Sequence, residues 1–369
     1  MGTRTSRFLA LLATFALVAA ACGGDDSGAA ECDTVDSVKV QLQWVAQAQF
    51  AGYYVADDLG FYADECLDVT ILEGAVDIVP QTVLATGGAE FGLAWVPKAL
   101  VSREGGADII NIAQVFERSG TLEVSFKDSG ITSPADWAGK KVGNWGFGNE
   151  FELTAAINRF NVQDVELVGQ SFDMLALLNG EIDAAEAMIY NEYAQVLEAE
   201  NPATGELYTA DDLNVIDFND IGTAMLQDAV WVNADWIGQS GNEDIAERFL
   251  KATFRGWIHC LDEFDECVEV VLNNGSTLGS SHQEWQLNEI LGLIFPASNN
   301  IGVMNEALWA QTVDVATSEI VELDGVTISS DAYRTDLAEA AVTALEEEGY
   351  DVDGSSYERR TITLNPGGE

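Results

Sequence analysis

The sequence predicts an α/β protein with two lobes arranged as a hinged clamshell. From residue 38 onward, short apolar segments alternate with amphipathic segments, which indicates βαβ units and a mostly parallel sheet. A second series of the same kind starts near residue 121, and residues 223–233 are predicted to cross back to the first lobe. Of the 369 residues, 47% are hydrophobic, so the chain can bury a core although its formal net charge is −46.

The predicted elements follow this alternation in order. In the first series, strands are predicted at 38–44, 67–72, 91–96 and 109–117, with helices at 49–62, 77–88 and 97–105. In the second series, strands are predicted at 121–126, 140–146, 164–170, 184–190 and 214–218, with helices at 133–139, 151–160, 171–180 and 191–200. The first lobe is expected to comprise residues 37–120 and 228–330, and the second lobe residues 121–227, with hinges near 119–127 and 220–230. The chain after the return crossing is mainly helical, and residues 331–369 are expected to form a helix and a ragged tail.

The N-terminus has the pattern of an export signal. Arg4 and Arg7 precede an apolar run at 8–21, which is shorter than the roughly 20 residues of a membrane-spanning helix. The segment 19–22, Ala-Ala-Ala-Cys, resembles a bacterial lipobox, with Ala19 where leucine is usual. We therefore expect a lipoprotein signal peptide at 1–21, lipid on Cys22 and a flexible tether at 22–36; an ordinary signal peptide cleaved nearby is the alternative.

The charge and the cysteine and histidine content indicate which partners, disulfides and metal sites to expect. With 62 Asp and Glu against 16 Lys and Arg, spread along the chain, binding to nucleic acid is disfavoured. Cys32, Cys66, Cys260 and Cys267 allow three disulfide pairings. Cys260–Cys267 is favoured because the two are close in sequence, which leaves Cys32–Cys66; four unpaired thiols are the alternative. There is no CxxC and there are only two histidines, so neither a zinc site nor a cofactor is predicted.

One segment carries a family resemblance. LQWVAQAQFAGYYVADDLGFYADECLDVTI (42–71), the glycine-ended helix after it and FGLAW (91–95) resemble the solute-binding lipoproteins of ABC importers, in the branch for nitrate, sulfonates and thiamine-pyrimidine precursors. The motif positions matched are Trp44, Gln47, Gln49, Gly52, Tyr54, Val55 and Ala56. The resemblance covers about residues 38–310. It implies a type II periplasmic-binding-protein clamshell with two hinge crossings and a helical C-terminal part. It also implies a monomer that is lipid-anchored on the extracytoplasmic face and that serves an ABC permease and its ATPase.

Candidate ligand-binding residues in the first lobe follow strand ends. Trp44 ends the first strand, and Gln47 and Gln49 lie in the turn after it, where the ring could stack a flat ligand and the amides could pair with its nitrogens. Tyr54, on the next helix, could supply a second wall, and Trp95 ends another strand of the same lobe. A role of Trp44 and Tyr54 as core aromatics is the alternative.

In the second lobe, the turn of Gly146, Phe147, Gly148 and Asn149 joins a strand to a helix N-terminus. Its glycines allow backbone N–H groups to approach a ligand, unless it is merely a tight turn.

A second strand end in this lobe is followed by Tyr190, Asn191 and Glu192. The resemblance implies that a glutamate here grips a pyrimidine ring, and Glu192 matches it; the alternative is an N-cap followed by a first-turn acid. Asp228, in the return crossing, is a weaker candidate with an alternative role as a hinge-surface acid.

These residues favour binding of a small heteroaromatic solute. A thiamine pyrimidine precursor, hydroxymethyl- or formylamino-substituted, is the first choice, and riboflavin is the alternative because the cleft is rich in aromatics. Nitrate and sulfonates are disfavoured because the candidate motifs contain no Arg or Lys. A sensor lipoprotein is an alternative of a different class. An enzyme is not expected, because the cysteine cluster and histidine of the pyrimidine-synthesising relatives are not visible at the corresponding positions.

Overall fold

The structure is a computed structural model that describes residues 32–275 and 277–369. The predicted signal peptide, Cys22 and most of the predicted tether lie outside these residues. Within the described ranges, no helix combines the length and apolar character that crossing a membrane requires.

A five-stranded mixed sheet is the centre of what we call the first lobe, with strand order β2–β1–β3–β10–β4. The elements are β1 (Asp36–Gln41), α1 (Ala51–Asp58), α2 (Phe61–Asp64), β2 (Leu67–Leu72), α3 (Pro80–Ala85), β3 (Phe91–Trp95), α4 (Val96–Glu104) and β4 (Ile109–Gln114), and later β10 (Asp228–Asn233) and α9 (Ala234–Ile237). β1 is parallel to β2 and β3, whereas β10 is antiparallel to both β3 and β4. The chain therefore returns to the first sheet at β10, where the sequence places the second crossing.

The second lobe is built on two smaller sheets, with orders β8–β5–β9 and β6–β7. Its elements are β5 (Thr121–Phe126), β6 (Lys141–Asn144), α5 (Phe151–Arg159), β7 (Glu166–Gly169), α6 (Leu175–Leu178), β8 (Ala185–Met188), α7 (Glu192–Leu197), β9 (Leu213–Asp217) and α8 (Phe218–Ile221). The prediction of a mostly parallel sheet is wrong for the three-stranded sheet, because β5 is antiparallel to both β8 and β9, whereas β6 and β7 are parallel. Strand propensity does not report direction, which depends on which strands pair.

Helices α10 (Asn242–Asp262), α11 (Phe264–Asn274), α12 (Ser280–Ile294), α13 (Glu306–Glu319) and α14 (Asp336–Glu348) complete the fold. α10 packs against α1 at very short range: a Cβ placed on Gly52 would lie 2.4 Å from Trp257 Cδ2, and one on Gly256 would lie 2.1 Å from the Gly52 carbonyl oxygen. Only glycine allows these two helix backbones to approach so closely. This contact holds α1 against the core just after the turn that carries Gln47 and Gln49.

The C-terminal segment after α14 packs onto α12 rather than forming a ragged tail. The Tyr357 hydroxyl donates to the Asn288 carbonyl at 3.0 Å, and the Asn365 N–H donates to Ser281 Oγ at 3.0 Å. The Gly367 N–H donates to the carbonyl of Glu198, just beyond α7, at 3.1 Å. The segment thus connects α12 with the second lobe.

Two disulfides join Cys32 to Cys66 and Cys260 to Cys267, the pairing that the sequence favours. The first attaches the start of the described chain to the residue before β2, and the second joins α10 to α11. Disulfides of this kind are typical of oxidising, extracytoplasmic compartments.

The interior of the second lobe contains several buried carboxyls, among them Glu123, Glu152 and Glu186. Glu123 and Glu186 lie opposite each other on β5 and β8, and neither oxygen of Glu123 has a hydrogen-bond partner among the described residues. Glu186 accepts the Trp145 N–H at 3.0 Å, and Glu152 accepts from Ser119 Oγ at 2.7 Å. Burial raises the pKa of Glu186 and of Glu152 to about 8, and raises that of Glu123 well above its usual value.

Because these carboxyls have raised pKa values, we expect the protein to lose stability as the pH rises. The unfolded chain releases their protons near pH 4.5 whereas the folded chain keeps them to about pH 8, so the free energy of unfolding should fall between about pH 5 and 8. The Glu186→Gln variant should lose part of this slope and gain roughly 1 kcal/mol or more at pH 8. Urea unfolding at several pH values measures it, with Glu181→Gln at an exposed site as control; an unchanged slope in Glu186→Gln would contradict the assignment.

Candidate functional site

A cavity of about 460 Å³ lies between the two lobes and receives side chains from both. Most of the candidate residues line it: Trp44, Gln47, Gln49, Trp95, Phe147, Gly148, Asn149, Tyr190, Asn191 and Glu192. Gly146 and Asp228 are not in its lining, but Asp228 is hydrogen-bonded to side chains that are. The volume lies within the range of sites for ligands larger than one ring.

Tyr54 differs from its prediction. It is buried within the first-lobe core on α1, is not in the cavity lining, and has a hydroxyl without a hydrogen-bond partner among the described residues. The helix turns this side chain toward the core, so Tyr54 corresponds to the alternative reading as a core aromatic. Trp44, in contrast, packs against the core with one part and lines the cavity with another.

Asp228 organises the first-lobe wall. It begins β10 directly opposite Trp95 on β3, and its carboxylate accepts from Trp95 Nε1 at 2.8 Å, Gln49 Nε2 at 2.9 Å and Gln43 Nε2 at 2.6 Å. Burial raises the pKa of Asp228 to about 6, although these three hydrogen bonds oppose the rise. Instead of the hinge-surface acid that was the alternative, Asp228 is a buried hub that orients three lining side chains.

Amide side chains continue this network toward the second lobe. Gln47 Nε2 donates to Gln49 Oε1 at 2.7 Å, and Gln286 Nε2, from α12, donates both to Gln47 Oε1 and to Asn191 Oδ1 at 3.1 Å. The oxygen of Gln286 accepts the Ala48 N–H at 3.1 Å. One residue of α12 therefore contacts the binding loops of both lobes.

Glu192 and Asn191 are held by their own network. Glu192 accepts the Met188 N–H at 3.0 Å and Asn191 Nδ2 at 2.8 Å, while Asn191 Oδ1 is 2.8 Å from His282 Nε2. His282 Nδ1 in turn lies 2.6 Å from Glu198 Oε1. Burial raises the pKa of Glu192 to about 7, so its carboxyl can gain or lose a proton near neutral pH. Asn191 makes no capping hydrogen bond, contrary to the N-cap alternative.

The turn at 146–148 has an unusual backbone. Gly146, Phe147 and Gly148 have φ values of +71°, +57° and +85°, so a phenylalanine occupies the left-handed region between two glycines. Phe147 lines the cavity although 86% of its surface is exposed, which places it at the rim. The Gly148 N–H is bonded to Glu150 Oε2 at 2.9 Å, so this backbone group is not free for a ligand.

Aromatic rings bridge the two lobes at the mouth. The rings of Trp44 and Phe172 lie 4.7 Å apart, and Phe172 is nearly parallel to Trp145 at 6.1 Å with an interplanar angle of 17°. Sequence reasoning missed Phe172 because it lies in a segment predicted as a helix, with no strand end to mark it.

A cationic residue also lines the cavity, which corrects the expectation of a site without Arg or Lys. Lys98, on α4, reaches across to Asn149 Oδ1 at 3.2 Å and lies 5.6 Å from the centroid of the Trp95 ring. Its position three residues after Trp95 is the signal that could have identified it, since a strand-to-helix junction places both ends at the same edge. Gln43, which precedes Trp44, was also missed.

Comparisons with known proteins agree with this architecture. A family model described as NMT1/THI5 like matches residues 47–267. The chain is 26% identical to the formylaminopyrimidine-binding protein of Halalkalibacterium halodurans, over 67% of this chain and 73% of that protein. It is 23% identical to the riboflavin-binding protein RibY of Chloroflexus aurantiacus, over 76% of this chain and 80% of that protein.

Enzymes are also among the relatives. The chain is 23% identical to the 4-amino-5-hydroxymethyl-2-methylpyrimidine phosphate synthase of Uromyces fabae, over 60% of this chain and 66% of that protein. Among solved structures, the periplasmic aliphatic sulphonate binding protein SsuA of Escherichia coli aligns with a TM-score of 0.58 at 14% identity, covering 77% of this chain and 87% of that one. The fold is therefore that of the periplasmic binding proteins, and with more than half of its length matched by the family model, the chain belongs to the NMT1/THI5-like family.

Proposed function

We propose that this chain is the extracytoplasmic solute-binding lipoprotein of an ABC importer and that it captures a small heteroaromatic solute, foremost a pyrimidine precursor of thiamine. The observation that supports this most is the composition of the cavity between the lobes. It combines the indole and phenol rings of Trp95, Trp145 and Tyr190 with the amides of Gln43 and other residues and with the carboxyl of Glu192. Flat rings offer faces for stacking, and amide and carboxyl groups pair with ring nitrogens and amino groups.

The relatives support the same class of ligand. The formylaminopyrimidine-binding protein of Halalkalibacterium halodurans is named for a pyrimidine, and the similarity covers most of both chains. Riboflavin is the second candidate, favoured by a cavity of about 460 Å³, by the aromatic pair Trp44 and Phe172 at its mouth, and by the similarity to RibY.

Sulfonate and nitrate are less well supported as ligands. The reason is no longer a lack of cationic residues in the site but the acidic residues around Lys98. Lys98 does lie in the cavity, but burial lowers its pKa, and the nearby acids Glu150, Glu186 and Asp228 oppose that lowering only in part. A small anion placed beside this ammonium would also face the carboxylates of Glu150 and Asp228, while the Glu186 carboxyl keeps its proton to about pH 8. The site is therefore better suited to a neutral or basic ligand.

The proposal extends to location and role. A lipid on Cys22 would hold the protein at the membrane, and the two disulfides fit an oxidising compartment. We infer that the chain acts as a monomer that hands its ligand to a permease with its ATPase, and that it binds pyrimidine without synthesising it.

Titration of residues 23–369 with hydroxymethylpyrimidine, formylaminopyrimidine and riboflavin tests the proposal. Because Trp44, Trp95 and Trp145 line the cavity, a bound ring should quench tryptophan fluorescence in a saturable way. Saturation by a pyrimidine alone is the expected result, and saturation by riboflavin alone would move the protein to flavin uptake. A folded sample that responds to none of the three would contradict the ligand class.

Asp228→Asn should weaken binding about tenfold or more. An asparagine offers one acceptor oxygen where the carboxylate accepts from Trp95, Gln49 and Gln43, so the wall loses hydrogen bonds worth roughly 1–3 kcal/mol. Calorimetric titration measures the affinity, thermal unfolding checks that the variant is folded, and Asp220→Asn at an exposed site is the control. Unchanged affinity in a folded variant would remove Asp228 from the site.

Binding of an aminopyrimidine should depend on pH through Glu192. A protonated Glu192 carboxyl can donate a hydrogen bond to a nitrogen of the ring. This proton is present below the Glu192 pKa of about 7. Affinity should therefore fall as the pH rises above 7, by up to about tenfold per unit. Glu192→Gln should bind more weakly at pH 6 and lose this dependence, while Glu200→Gln keeps it. Parallel pH profiles for wild type and Glu192→Gln would disprove the role of Glu192.

A further inference from the structure

Gln81, beside the cavity, has an unsatisfied acceptor. This glutamine is the second residue of α3, only 3% of its surface is exposed, and it lines the cavity. Its Oε1 is buried without a hydrogen-bond partner among the described residues. Because a buried, unpaired amide oxygen costs free energy, the observation points to a donor supplied by a ligand.

Lys98 presents unused donors to the same cavity. An ammonium has three N–H donors, and in the described part of the chain Lys98 Nζ has one hydrogen-bond acceptor, Asn149 Oδ1 at 3.2 Å. Its helix, α4, packs against α3, which carries Gln81, and Val101 and Ser102 continue the cavity wall along α4.

Lys98 also lies close to an aromatic residue of the cavity wall. Its ammonium lies 5.6 Å from the centroid of the Trp95 ring. A heteroaromatic ring against Trp95 would therefore carry a substituent of a few atoms toward Lys98. The neighbouring charges of Glu150 and Asp228 disfavour a phosphate or carboxylate on that substituent.

We propose that Lys98 and Gln81 form a subsite for a short, uncharged polar arm of the ligand that carries both an acceptor and a donor. Lys98 donates to the oxygen of the arm, and the Gln81 amide turns toward the cavity so that its Oε1 accepts the O–H or N–H of the arm. Hydroxymethyl and formylaminomethyl groups have this chemistry, whereas a methyl group has neither function. This inference rests on the proposed function, since it assumes a ring in the aromatic part of the cavity.

The test compares ligands that share one aminopyrimidine ring and differ in the arm: hydroxymethyl, methoxymethyl and methyl. In wild-type protein, hydroxymethyl should bind at least tenfold more tightly than methyl, and methoxymethyl, which lacks the donor, should lie between them. This series uses unmodified protein, so it does not depend on any variant folding. Equal affinities for the three ligands would overturn the subsite while leaving the ring site intact, and binding of none would instead count against the proposed function.

Variants assign the effect to the two residues. Lys98→Met and Gln81→Leu should each reduce the advantage of hydroxymethyl over methyl to about threefold or less, while affinity for the methyl compound changes little. Lys98→Arg should retain part of the advantage. Lys39→Met and Gln163→Leu, at exposed sites outside the cavity lining, serve as matched controls. Equal losses of affinity for the hydroxymethyl and methyl ligands would show that Lys98 and Gln81 do not recognise the substituent.

Discussion

The buried carboxylate of Asp228 is the constraint on which the first-lobe wall depends. It lies where the chain re-enters the five-stranded sheet, so β10 pairing brings it opposite Trp95 and within reach of the turn after β1. A carboxylate removed from water requires several donors, and here Trp95, Gln49 and Gln43 supply them. The same hydrogen bonds that stabilise the acid thereby hold one indole and two amides in defined orientations, which is the condition for selective recognition of a ring.

Helix α12 connects this wall to the other lobe. Gln283 and Gln286 both accept the Ala48 N–H at the loop after β1, and Gln286 and His282 contact Asn191 at the start of α7. Gln227 adds a second link, because its side chain accepts the Gly120 N–H and donates to Thr121 Oγ1, which ties the two crossings together. Polar contacts of this kind can break and re-form at low net cost, which is compatible with the opening and closing that the proposed function requires.

Acidic residues have two separate roles in this chain. Those that are exposed and spread over the surface account for most of the net charge of −46. A few are instead buried near the cavity, including Glu186, which holds the Trp145 N–H and is close enough to influence Lys98. Burial keeps several of these carboxyls protonated to higher pH than usual. They therefore add polar groups to the interior, and not all of them are charged near neutral pH.

The sequence by itself determined the α/β alternation, the return crossing and ten of the residues that line the cavity, because strand ends and the turns after them are local features that meet at one edge of a sheet. Trp44, Trp95, Asn149 and Glu192 were found in this way. Only the tertiary structure decided that Tyr54 lies in the core, that β5 runs antiparallel to its neighbours, that the C-terminal segment packs on α12, and that Gln81 and Phe172 line the cavity. These outcomes depend on contacts between residues far apart in the chain, about which local propensity and periodicity carry no information.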